Sequence, residues 1–171
     1  MRKTIIGTVI TLFMWSGIAI AQEPKQSLST SPSRTTYHFD KVKKQQIAIP
    51  KNAQCGQWWQ MLLDAGWKQT DLLMADKIMF RESRCNPAAH NRNDPTTVMS
   101  TKGSLGLFQI NLFWMSKTTS YPNGYLQSFG IGNRPLDLFV PAINARAALA
   151  LFDYSESRNG CGWAPWATDC N

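Results

Sequence analysis

The chain has 171 residues, of which 43% are hydrophobic and 17% charged, and a formal net charge of +7 at pH 7. That length is ample for one compact core. The basic residues are scattered, which makes nucleic acid a poor partner and suits a polyanionic surface such as a cell wall. With only His38 and His90 as imidazoles and no CxxC pair, a metal site is not expected, and no cofactor is implied.

Arg2 and Lys3 precede an apolar run over residues 5–20 that ends in Ala19-Ile20-Ala21. Basic, apolar, then A-x-A is the order of a secretory signal peptide cut after Ala21, and the run is short for a retained anchor. Export to the periplasm or outside the cell is therefore expected, without a stable membrane anchor. Removing residues 1–21 takes away two of the 18 basic residues and none of the 11 acidic ones, leaving a net charge of +5. Residues 22–54 are rich in Gln, Ser, Thr and Lys and read as a flexible tether, with Ile47-Ala48-Ile49 placed to dock on the folded domain. That domain is expected over residues 55–171. Its four cysteines, Cys55, Cys85, Cys161 and Cys170, are an even count in an exported chain. They imply two disulfides, with three connectivities open.

Within the domain the pattern is mainly helical. Trp58, Trp59, Leu62 and Leu63 recur at helical spacing until Gly66. A second helix starts at a Thr70 or Asp71 cap and stops before Asn86-Pro87. Residues 90–103 are turn-rich and predict a long loop or small hairpin. Residues 104–115 are expected to begin a third helix, with Gly106 allowing close backbone approach. Residues 121–135 read as loop, and Pro141 starts an alanine-rich helix through about Tyr154.

Glu82, one of three glutamates in the chain, ends the apolar run of the second helix. Positions three and four apart share a helix face, so Glu82 lies beyond Ile78 and Met79 in line with Ala75. An acid on that stripe is expected to be buried, and so to be paired, capping or engaged in proton chemistry. Desolvation moves a carboxyl toward the range in which it donates protons near neutral pH.

Three segments occur together and in order: ESRCNPAA at residues 82–89, SLGLFQIN at 104–111 and DLFVPAINARAA at 137–148. In these segments the chain resembles the lysozyme-like superfamily of soluble lytic transglycosylase domains, which borders the goose-type lysozymes. The resemblance implies an α+β lysozyme-like fold, mainly α, whose helical body and small hairpin region flank a sugar-binding cleft. It implies peptidoglycan glycan strands as substrate and Glu82 as catalytic acid and base. Ser83 would support the site by hydrogen bonding. Ser104, Gly106, Leu107 and Gln109 would line the sugar cleft, and Asn144 would fix the start of a packing helix rather than touch substrate. Asn111 is open between a cleft contact and a helix cap. Tyr154 stands near the place of a family tyrosine without its usual neighbours. Trp114, Trp163 and Trp166 are candidates for stacking on sugar rings.

Two outcomes remain for the same bond. Hydrolysis employs a second carboxylate, for which Asp94 is the only candidate near the helix, and Asn93-Asp94-Pro95 also reads as a plain turn. A lytic transglycosylase needs one glutamate, which protonates the leaving oxygen and then deprotonates the sugar's own 6-hydroxyl. The single-carboxylate route is the favoured expectation. A non-catalytic wall-binding module would not need Glu82, and no G-x-S-x-G supports a serine hydrolase. Gln54-Cys55-Gly56 hints at a thiol protease, but Trp58 stands where the nucleophile belongs. A monomer is expected, with docking to a larger envelope machine or an inhibitor protein left open.

Overall fold

The computed structural model describes residues 47–170. The expected signal peptide and the tether up to residue 46 lie outside the described residues. The last tether residues do not hang free: Ile47 and Ala53 pack against the core, and the Gln54 amide is bound to it.

Trp59–Asp64 (α1) follows a 3₁₀ turn at Gly56–Trp58, and just past its Ala65 cap the chain turns at Gly66, whose φ of +107° suits glycine. Leu72–Ser83 (α2) buries Leu72, Ala75, Asp76, Ile78, Met79 and Ser83, an i, i+3, i+4 face set against the core. The expected Thr70 or Asp71 side-chain cap is not formed. A 3₁₀ turn at Gln69–Asp71 leads into the helix, and the Thr70 hydroxyl bonds the Asp71 carboxylate at 3.2 Å instead of a helix amide. The helix ends where Arg84 and Cys85 take positive φ of 54° and 62°.

Asp76 is the buried polar anchor of this half. Its Oδ1 accepts from the amide of Cys55 at 2.8 Å and from Trp59 Nε1 at 2.9 Å, and its Oδ2 from the amide of Gln54 at 2.8 Å. Cys55 bonds Cys85, so the segment entering α1 is tied to both the middle and the end of α2. The second disulfide joins Cys161 and Cys170.

The turn-rich region forms short strands. His90–Asn91 (β1), Ser104–Leu105 (β4) and Ile110–Asn111 (β5) make an antiparallel sheet in the order β1-β4-β5, while Thr97–Val98 (β2) and Thr101–Lys102 (β3) form a hairpin. The helix expected over residues 104–115 is therefore corrected: the segment is β4, a tight turn, β5 and a 3₁₀ turn at Leu112–Met115. Gly106 and Gln109 sit at φ of +79° and +47°, outside the right-handed helical region. Leu105, Leu107, Phe108, Ile110 and Leu112 are all buried, a spacing no single helix face provides.

The expected loop over residues 121–135 holds one short helix, Tyr125–Ser128 (α3), which buries Tyr125 and Leu126. Pro141–Asn159 (α4) starts at the expected proline and runs on past Tyr154 to a left-handed Gly160. Asn144, with no exposed surface, does not cap its own helix. Its Oδ1 accepts from the Phe108 amide at 2.9 Å, and its Nδ2 donates to Leu105 O and Leu138 O, both at 2.9 Å. One side chain thus bolts the 105–108 turn to α4. A side chain at Gly106 would run into Asn144 and the Leu138 carbonyl, so this glycine serves protein packing. Trp67 stacks between Phe108 and Trp163 at 5.7 and 5.4 Å, closing a core built from α1, α2, α4 and the sheet. No described helix is long and apolar enough to cross a membrane.

Candidate active site

A cleft of about 440 Å³ opens where the C-terminal end of α2 faces the small sheet. Its walls include Arg81, Glu82, Asp94, Ser104, Gln109, Asn111, Trp114 and Trp166. Glu82 does not continue the buried stripe. Its side chain keeps 26% exposure, because α2 ends one residue later and no further turn covers it. Arg81 is its partner: Nε and Nη2 donate to Oε1 at 3.0 and 2.8 Å. Arg84 instead lies over the Phe80 ring at 4.5 Å. No described residue donates to Glu82 Oε2, so one carboxyl oxygen is anchored while the other is left to the cleft.

Arg81 is itself held from the far end of the chain, donating to Trp166 O and to Thr168 Oγ1. That segment is pinned by the Cys161–Cys170 bridge and by Trp166 Nε1, which donates to Phe108 O at 2.9 Å. The sequence offered Arg81 and Arg84 as ion-pair partners for Glu82, and Arg81 is the one that pairs; nothing in it pointed to the C-terminal partners of Arg81.

Asp94 is both a turn residue and a cleft residue. Its Oδ1 accepts from the Thr96 amide at 3.3 Å, the local turn contact. Its Oδ2 accepts from Ser104 Oγ at 2.7 Å and from Asn111 Nδ2. Ser104 and Asn111 are cross-strand partners in the β4–β5 register, which is why two residues seven apart converge on one oxygen. Asn111 lines the cleft, and its Oδ1 also accepts from the Phe113 amide at 2.7 Å and caps the following 3₁₀ turn. Gln109 lines the cleft with both amide hydrogens committed, to Ala89 O at 3.1 Å and Gly106 O at 2.9 Å. Its Oε1, an acceptor, makes no hydrogen bond to any described residue.

Four expected site residues are not in this cleft. Ser83 is buried and returns its hydroxyl to Met79 O at 2.8 Å, closing its own helix turn. Gly106 faces Asn144, and Leu107 is fully buried in the core. Tyr154 lines a neighbouring cavity behind Trp114. Of the tryptophans, Trp114 and Trp166 reach the cleft, whereas Trp163 packs on Trp67 and Phe152. Among the described residues no group of His, Cys, Asp and Glu could hold a metal ion.

A helical body with two small antiparallel sheets makes the domain an α+β protein. The chain belongs to the family of the lysozyme-like domain, whose family model matches residues 59–168. No curated protein and no solved structure matches it. Membership in this family suggests peptidoglycan-cleaving activity with peptidoglycan as substrate, and the family is generally catalytic. The two disulfides are compatible with an exported protein.

Proposed function

We propose that the domain is a lytic transglycosylase that cuts the MurNAc–GlcNAc bond of peptidoglycan and leaves a 1,6-anhydroMurNAc end. The observation that carries this reading is Glu82, one oxygen fixed by Arg81 and the other unpartnered, at the cleft. Breaking a glycosidic bond requires a proton on a poor leaving oxygen while the ring gains oxocarbenium character. Glu82 gives that proton to the leaving GlcNAc oxygen. The resulting carboxylate then takes a proton from the MurNAc 6-hydroxyl, whose oxygen closes on C1. The cycle returns Glu82 to its protonated form. The Gln109 Oε1 accepts from an N-acetyl N–H, and Trp114 and Trp166 offer ring faces to the sugars.

The reading includes export by residues 1–21 and action on the wall as a monomer. Residues 22–54 are read as the tether, its last residues docked on the domain, and no cofactor takes part.

Asp94 favours a second reading, hydrolysis of the same bond. Its three accepted hydrogen bonds leave a carboxylate with room for about one more donor, which a water could supply. Mass spectrometry of digested sacculi separates the two: anhydro ends support the lyase, and reducing ends the hydrolase. Glu82→Gln is expected to abolish both products while the fold is kept. Retained lysis by that variant would sink the assignment.

A further inference from the structure

A second cavity, of about 240 Å³, adjoins the cleft, with Trp114 as the shared wall. Tyr121, Tyr125, Tyr154, Ser120 and Arg158 are among its other lining residues. The rings brace one another edge to face: Trp114 lies 5.4 Å from Tyr125 and 5.3 Å from Tyr154, and Tyr121 lies 5.0 Å from Tyr125. The walls are therefore preformed. Tyr125 spends its hydroxyl on Ala150 O, whereas the hydroxyls of Tyr121, Tyr154 and Ser120 make no hydrogen bond to any described residue. Arg158 is exposed and lies over the Tyr154 ring at 5.2 Å. No described carboxylate pairs with it. A guanidinium held by a ring face and lacking an anion keeps its fork for a carboxylate.

Position gives the occupant. Leu151 lines the cleft, and Tyr154 and Arg158 line the cavity, at i, i+3 and i+7 on one face of α4. Seven residues of helix span about 10 Å. An extended peptide covers that distance in about three residues. A muramoyl sugar carries such a peptide on its lactyl ether, and that peptide carries carboxylates.

We propose that this cavity is a stem-peptide pocket, in which a carboxylate of the peptide on a cleft-bound sugar meets Arg158. The proposal rests on the reading of peptidoglycan as substrate. A bare sugar ring is the competing occupant, and it has no group that needs Arg158.

The test compares initial rates of the full chain on peptide-bearing glycan and on strands stripped of peptide by an amidase. A charge-assisted contact predicts a kcat/KM about tenfold higher for the peptide-bearing strand. Arg158→Gln should bring that ratio to about one, and Arg158→Lys should restore part of it. A ratio of one in the wild type, or a ratio unchanged in Arg158→Gln, overturns the proposal. Free stem tetrapeptide titrated against tryptophan fluorescence reads the pocket without turnover. Saturable binding that Arg158→Gln weakens supports the pocket, and its absence refutes it. Loss of cleavage on both strands with this binding intact would sink the proposed activity alone.

Discussion

Asp76 is the residue whose removal has the most calculable cost. Its carboxylate, with no exposed surface, accepts three N–H donors within 2.9 Å. Truncation in Asp76→Ala leaves the Cys55 amide and the Trp59 indole without acceptors in the core. An orphaned buried donor costs about 1–3 kcal/mol. The Gln54 amide is near the surface and turns to water, and relief of the carboxylate's own desolvation offsets part of the loss. The expected net cost is about 3 kcal/mol. Asp76→Asn keeps one oxygen for Cys55 and Trp59 but sets an amide N–H against that of Gln54, for an expected cost of about 1 kcal/mol. Urea unfolding with both disulfides intact, followed by tryptophan fluorescence, measures both variants. At about 4 °C per kcal/mol, the alanine variant should melt about 12 °C lower. A cost below about 1 kcal/mol for Asp76→Ala, or equal costs for the two variants, would refute the reasoning.

Two further outcomes are expected. Gly106→Ala must place a Cβ against Asn144 and the Leu138 carbonyl at a φ of +79°, so it should destabilise by more than about 3 kcal/mol in the same assay; a neutral result would show that the 105–108 turn is not fixed by this contact. Burial, with a smaller contribution from Tyr121, raises the Tyr125 hydroxyl from 10.0 to about 12. Its neutral form is favoured by folding, so its contribution is full below pH 10 and is lost as pH rises through about 12. Tyr125→Phe should therefore show a shallower stability loss over that window than the wild type, and parallel curves would refute the assignment.

Much of this architecture is legible in the sequence because its causes are local. Apolar spacing marks α1 and α2, Pro141 marks the start of α4, and an even cysteine count marks two disulfides. The expected lysozyme-like family is likewise carried by short contiguous motifs, and the family match covers them. The failures share a different cause. Residues 104–115 were expected to begin a helix, yet the segment is held as strand and turn by β1 and by Asn144, whose bond to the Phe108 amide joins residues 36 apart. Leu107 and Gly106 carry the family motif but serve the core, so a motif residue need not be a contact residue.

By itself the sequence singled out Glu82, the glutamate that ends an apolar helix and opens ESRCNPAA, and the resemblance of that segment and SLGLFQIN implied its proposed role. Only the tertiary structure decided what surrounds that acid. Arg81 is tied to Trp166 across 85 residues, and Asp94 is aimed into the cleft by Asn111 across 17. Such bonds form between side chains and distant backbone once the core is packed, so no local periodicity encodes them. Glu82 was expected as a buried acid. The fold makes it an acid at a cleft, gripped on one oxygen and open on the other.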